Sequence, residues 1–205
     1  QILMLSGVGA ADELKQQGIN VVHNLPGVGK NLQDHLQARP VFKTDLSTIN
    51  IETNNLLKQG MIALQYALTQ TGPMTMAASL GTAFLKTDPT LDTPDIQFHI
   101  QPFSASAPAD GPHKFSAFTA SVLQMRPEST GHIALKSANW RDHPAIHPNY
   151  LATKLDQDTI VKGIQIARKI AQFEPLKAHI TEEFTPGSSV ALDDYDATLT
   201  WARDN

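Results

Sequence analysis

Three sets of residues in this 205-residue chain carry side chains able to hold a polar ligand or handle a proton. The first is Asn31-Leu32-Gln33-Asp34-His35, which follows the turn-forming run Leu25-Pro26-Gly27-Val28-Gly29-Lys30. Its amides, carboxylate and imidazole either cap a turn through Asx-type hydrogen bonds or face a ligand, with Asp34 and His35 as hydrogen-bonding groups rather than proton carriers. The second is Gln97, His99 and Gln101, which alternate with Ile96, Phe98 and Ile100. Alternation puts the three polar residues on one face of a strand, and that face meets either solvent or a cavity. The third is the pair His143 and His147, at a spacing used for zinc. Pro144 opposes the helix that would aim both imidazoles one way, and no third ligand is evident, so no metal site is expected.

Composition removes several kinds of chemistry. There is no cysteine, hence no disulfide, thiolate metal site or cysteine nucleophile; a reducing compartment is compatible with this and not required. The net charge is -4 and no basic block exceeds two residues, which argues against a nucleic-acid partner. No apolar stretch reaches the roughly 20 residues that span a bilayer, and association with a membrane surface stays open. Neither Gly7-Val-Gly9 nor Gly27-Val-Gly29 has the third glycine of a dinucleotide fingerprint. No Gly-x-Ser-x-Gly elbow or Gly-Lys-Ser/Thr phosphate loop occurs.

The elements that must position these groups are legible as patterns. A short helix is expected over 10–17, stopped by Gly18, with an extended segment over 19–23. A strand follows over 36–43. Residues 54–70 carry Leu57, Met61, Leu64 and Leu68 at helical spacing, which predicts a helix with a buried face. Strands are expected over 79–86 and 95–103, then a mobile loop over 104–114 rich in Ala, Ser, Pro and Gly. Residues 115–126 and 132–137 read as an antiparallel hairpin across the 127–131 turn, and 139–149 as irregular. A helix over 155–172 shows a stripe of Ile160, Ile164, Ala167 and Ala171, with Asp156 or Asp158 near the positive end of its dipole. A last helix starts near Asp193, with Tyr195, Leu199 and Ala202 inward. Successive strands with helices before and after predict an α+β fold, an antiparallel β-sheet with helices packed on one face.

Together these residues resemble the glucose–methanol–choline (GMC) family of FAD-dependent oxidoreductases, in their choline and alcohol dehydrogenase branch. The resemblance rests on the opening residues 1–9, QILMLSGVG, then 25–35, LPGVGKNLQDH, then Pro94-Asp95-Ile96-Gln97-Phe98-His99, the 127–137 turn and strand, and Pro148-Asn149-Tyr150-Leu151. It implies that residues 1–35 are an interface segment toward an FAD domain and 36–205 a substrate-binding domain. The FAD-binding Rossmann half would precede Gln1, and the catalytic histidine motif would follow Asn205. No catalytic residue is then expected in the chain, which alone would be inactive and would bind no FAD. A domain separated from its flavin half is also expected to show an exposed apolar flank.

In the intact enzyme the resemblance implies oxidation of an alcohol to an aldehyde or ketone, with a histidine taking the hydroxyl proton and hydride passing to the flavin. Asn31, Gln33, Asp34 and His35 would lie beside the cofactor. Leu80, Gln97, His99 and Gln101 would face the substrate, a small alcohol. Choline-oxidising members place an acid where this chain has Leu80, and no Asp or Glu occurs between Glu52 and Asp88. A buried cation without a counter-charge is costly, so a neutral alcohol is favoured over choline. The alternatives are choline dehydrogenase proper and a non-catalytic binding module of the same fold.

Overall fold

The computed structural model describes residues 1–77, 79–107 and 110–205. Along the chain run α1 (Ile2–Leu5), β1 (Val8–Gly9), α2 (Ala11–Gln16), β2 (His23–Asn24), β3 (Gln37–Ala38), β4 (Val41–Thr44), α3 (Ile49–Glu52) and α4 (Leu56–Thr69). Then come β5 (Gly81–Leu85), β6 (Ile96–Gln101), β7 (Ala117–Gln124), β8 (His132–Ala134), β9 (Ala145–His147), α5 (Lys154–Ile170), β10 (Ile180–Thr185) and α6 (Tyr195–Asp204). Contacts divide them into two units, Gln1–Leu36 with Arg126–Gln157 and Gln37–Met125 with Asp158–Asn205.

The second unit is built on a six-stranded sheet in the order β10-β4-β7-β6-β5, with β3 also on β7, and every pairing is antiparallel. β7 is central because its run of Ala, Val, Leu, Phe and Thr suits burial on both faces. On one face Ile96 and Val122 are fully buried and meet α5 at Gly163, where an added Cβ would lie 2.6 Å from a Val122 methyl. The missing side chain lets helix and sheet approach. Ile160, Ile164, Ala167 and Ala171, the expected stripe, are all buried. Buried Arg168 joins α5 to β10, its Nε 2.6 Å from Oε1 of Glu183 at an angle that makes the contact ionic rather than a hydrogen bond. Its other nitrogens donate to the carbonyls of Val190 and Ala191. α6 starts at Asp194, whose side chain accepts from the Ala197 N–H, and buries Leu199 and Ala202.

The first unit holds a parallel pair, β1 with β2, and an antiparallel pair, β8 with β9. The α2 helix ends where expected, Gly18 taking a φ of +71° and donating to the Lys15 carbonyl.

Four expectations are corrected. Residues 115–126 and 132–137 do not form a hairpin: β7 pairs with β3, β4 and β6, while β8 takes β9 from the segment expected to be irregular. An eight-residue apolar strand belongs in a sheet centre, whereas His132–Ala134 is short and half-polar. The strand over 36–43 breaks into β3 and β4 around Arg39-Pro40, since proline has no N–H for the ladder. The alternation of β6 holds, yet Ile100 is exposed at the strand end while Ile96 and Phe98 are buried. The fourth is α4: Leu57, Met61, Leu64 and Leu68, expected as core, are exposed, so no described part of the chain covers that face.

The loop over 104–114 is tied at its base by buried Asn50. The Asn50 amide donates to the carbonyls of Ser104 and His113, and its oxygen accepts the Ser104 N–H, each at 2.9 Å. His113 meets Ser104 Oγ and Ser106 Oγ through its two ring nitrogens. Residues 108–109 of the expected mobile stretch lie outside the described residues.

Candidate functional site

On the second unit, strand register brings three of the four candidate substrate-facing residues, Gln97, His99 and Gln101, to one sheet face, while Leu80 stands one residue before β5. His99 lies opposite Thr82 on β5 and Ser121 on β7, Gln97 opposite Phe84 and Leu123, and Gln101 opposite Thr119. Leu80, in the bend just before β5, donates its N–H to the Ile100 carbonyl. The face of Gln97, His99 and Gln101 is the one opposite α5. Leu80 is exposed, and Gln97, His99 and Gln101 are half-buried.

The imidazole of His99 is oriented. Its Nδ1 is 3.1 Å from Ser79 Oγ, and among the described residues its Nε2 has no hydrogen-bond partner. If the serine hydroxyl donates to Nδ1, the proton of a neutral imidazole sits on Nε2, where it can donate to a ligand oxygen. Beside it, Ser121 is buried and its Oγ has no partner among the described residues. An unpaired buried hydroxyl costs about 1–3 kcal/mol, so Ser121 marks a place where a polar group is to be supplied. Past the end of β6 an apolar cavity of about 340 Å³ is lined by Ile49, Pro73, Met76, Pro102, Phe103 and Pro112.

On the first unit, the segment 31–35 is a fixed, exposed loop. It begins after Gly29, whose φ is +84° and whose backbone passes so near the Ile133 carbonyl that a Cβ would lie 2.4 Å from its oxygen. Only glycine fits there. Leu32 bridges Gly131, and the Gln33 amide donates to the Pro127 carbonyl at 2.8 Å. Asp34 accepts from the Tyr150 hydroxyl and, at 2.9 Å, from the His35 N–H. These bonds, Tyr150 first, hold the Asp34 carboxyl below the usual carboxylate range, and the same bond pushes Tyr150 up to about 12. Asn31 adopts φ +56°, and its side-chain amide has no partner among the described residues.

Ser79, Thr82, Ser121 and Tyr150 belong to these constellations and were not singled out from sequence. A signal existed for Ser121, a small polar residue inside the apolar run of β7. For the pairings of Ser79 and Tyr150 none did, since their partners lie 20 and 116 positions away, although Tyr150 stands in one of the segments that carry the resemblance. The two histidines at zinc-like spacing are not on a helix: His147 is in β9 and its ring stacks on His132, centroids 4.6 Å apart. Among the described residues no three side chains form a group able to hold a metal ion.

Residues 127–202 match the family model for GMC oxidoreductase. The chain is 38% identical to the alcohol dehydrogenase [acceptor] of Pseudomonas putida over 198 residues, covering 95% of this chain and 35% of that protein. It is 39% identical to the mitochondrial choline dehydrogenase of Mus musculus over 196 residues, covering 94% of this chain and 32% of that one. The chain therefore spans about a third of the length of the curated relatives it matches. The fold superposes on formate oxidase with a TM-score of 0.86 at 23% identity, over 98% of this chain and 40% of that one. A further match, formate oxidase of Aspergillus oryzae RIB40, is described by its FAD modification. The 127–202 match, the sequence similarity along nearly the whole chain and the shared fold agree with one another: over the part of their length that it spans, the chain is similar to GMC oxidoreductases.

Proposed function

We propose that this chain is the substrate-binding part of an FAD-dependent oxidoreductase acting on CH–OH groups. In this reading residues 1–35 are the segment facing the FAD domain and 36–205 bind substrate. The observation that carries the proposal is the face of β5, β6 and β7, where His99 presents a free Nε2 beside the buried, unpaired hydroxyl of Ser121.

These residues fit a bound flavin and alcohol. Ser121 lacks one polar partner, and the exposed 31–35 segment offers the uncommitted Asn31 amide, with Gln33, Asp34 and His35 held in place around it. FAD, when bound, supplies the acceptor for hydride. The chain's own part is to bind and orient. With the Ser79 hydroxyl donating to its Nδ1, His99 donates from Nε2 to the alcohol oxygen, while Gln97 and Gln101 flank it on the same strand. Leu80 and Phe84 keep the surroundings apolar, and the cavity past β6 suits an uncharged carbon chain. A neutral alcohol is thus the proposed substrate rather than choline, since residues 53–87 offer no carboxylate to meet a quaternary ammonium.

The test is a kinetic screen of the full-coding-length protein with its flavin, over uncharged alcohols and choline. His99→Gln is expected to raise KM about tenfold while lowering kcat much less, as loss of a binding contact should. Choline as the best substrate by kcat/KM would refute the Leu80 argument. No oxidation of any alcohol by a flavin-loaded protein would favour a non-catalytic module of the same fold.

A further inference from the structure

We infer that Asn50 is a specificity-determining positioning residue: its buried amide holds the wall of the apolar cavity past β6 and so sets how firmly an alcohol's carbon chain is gripped there. The inference rests on the proposed reading of that cavity as the place of the substrate's carbon chain. Asn50 lies in α3 with no exposed surface. The carbonyls of Ser104 and His113 meet one end of its side chain, and the Ser104 N–H meets the other. Those partners admit one orientation of the amide, nitrogen toward the carbonyls and oxygen toward the N–H. Aspartate would lack the donors and leucine would lack both functions. The ring of His113 adds a second tie. Its two nitrogens meet Ser104 Oγ and Ser106 Oγ at 2.9 Å each, and its face stacks on Phe115, centroids 4.8 Å apart.

The backbone held in this way lines the cavity. Ala105 stands between Ser104 and Ser106, Gly111 and Pro112 lead into His113, and all three are lining residues. Ile49, the neighbour of Asn50, lines the cavity too and donates its N–H to the Pro102 carbonyl. On the sheet side Thr119 Oγ1 donates to the carbonyl of Phe103, another lining residue.

Two routes join this wall to His99. Pro102 and Phe103 follow His99 along the chain, at most about 10–13 Å away in extended backbone. Ser79, which meets His99, itself follows the lining residues Met76 and Ala77. An alcohol whose hydroxyl meets His99 would therefore lay its far end against the wall only if it is long enough. A residue that merely stabilised the fold would affect short and long alcohols alike, whereas one that holds the wall penalises the long ones.

The experiment compares propanol with octanol as substrates of the flavin-loaded, full-coding-length protein. Asn50→Ala is expected to raise KM about tenfold for octanol, the loss of roughly two buried methylenes, and about twofold for propanol, with kcat falling less than about threefold. Amide hydrogen exchange should quicken at Ser104 and His113, whose N–H groups are bonded inside the clamp. Should Asn50→Ala unfold, His113→Phe answers in its place. It keeps a ring against Phe115 and loses both serine contacts, and should raise KM for octanol about threefold more than for propanol. Equal penalties for the two alcohols, or none for octanol, would overturn the inference and leave the proposed function standing. Oxidation of neither alcohol, nor of any other, by the parent protein would overturn both.

Discussion

Two helices of this chain carry apolar residues at the same spacing and meet opposite fates. In α5 the stripe is Ile160, Ile164, Ala167 and Ala171; in α4 it is Leu57, Met61, Leu64 and Leu68, again at i, i+4, i+7 and i+11. The α5 stripe is sealed against the sheet and the α4 stripe faces outward. The contrast lies in everything but the period. On α5 two of the four stripe positions are Ala and Gly163 stands beside them, so the helix can approach the strands closely, while Lys162 and Lys169 serve its outer side. On α4 the stripe is long-chained throughout, and Lys58 is the helix's one charge. Periodicity defines a face, and the residues around it decide what that face meets.

The contrast breaks most visibly at paired positions. Ile164→Ala, at a site with no exposed surface, should destabilise the protein by about 4 kcal/mol through lost burial and a residual cavity. Leu64→Ala on α4 should stay within about 0.5 kcal/mol. Urea unfolding of the two variants measures the difference. An equally large loss at Leu64 would mean that α4 is core after all.

Arginine against lysine is the next pair. Arg168 is buried and holds Glu183 and two carbonyls, so Arg168→Ala leaves a carboxylate and backbone acceptors unpaired, at a cost of about 3 kcal/mol. The lower end of the range for buried pairs applies because Glu183 keeps some contact with water. Lys58→Ala should be silent in the same unfolding assay. Glycines give a smaller effect with opposite signs. Gly163→Ala would press a methyl to 2.6 Å from Val122 and should cost about 1–2 kcal/mol, helix propensity offsetting part of the clash. Gly60 on α4 has nothing within 4 Å of an added Cβ, so Gly60→Ala should stabilise by roughly 0.5–1 kcal/mol.

Much of this was legible beforehand because it is local. The bounds of α5, α6 and β6 follow from apolar period and capping residues, as does the shared face of Gln97, His99 and Gln101. What was not legible depends on partners. Nothing in 115–137 states that β7 pairs with three other strands while His132–Ala134 pairs with β9, since long-range strand choice is settled by competition for the sheet centre. The orientation of His99 by Ser79, the unpaired hydroxyl of Ser121 and the bond between Tyr150 and Asp34 are likewise products of the assembled fold. The exposed face of α4 has the same root: a stripe at helical spacing is core only where a surface receives it.

Tyr150 and Asp34 add a third case, an exposed contact that does have its partner, and it sharpens what exposure means. Their hydrogen bond lies at the surface, where solvent screening keeps its contribution to about 1 kcal/mol or less, well below the α5 effects. Its signature is a pH dependence. The Asp34 carboxyl is held below its unfolded value of about 3.9, so its stabilisation is present above that pH and is lost as pH falls through the folded value. The Tyr150 hydroxyl is raised to about 12, so its contribution is complete below about pH 10 and disappears as pH climbs toward 12. Tyr150→Phe removes the largest cause of the first shift and all of the second. Unfolding free energies measured across both limbs should therefore fall less steeply in the variant than in the parent at the acid end, and lose the tyrosine's share at the alkaline end. Leu64→Ala, exposed and without a partner, should leave both limbs where they are. Identical limbs in Tyr150→Phe and the parent would show that the hydrogen bond does not hold the 31–35 segment in solution, and that this exposed contact is no more anchored than the bare stripe of α4.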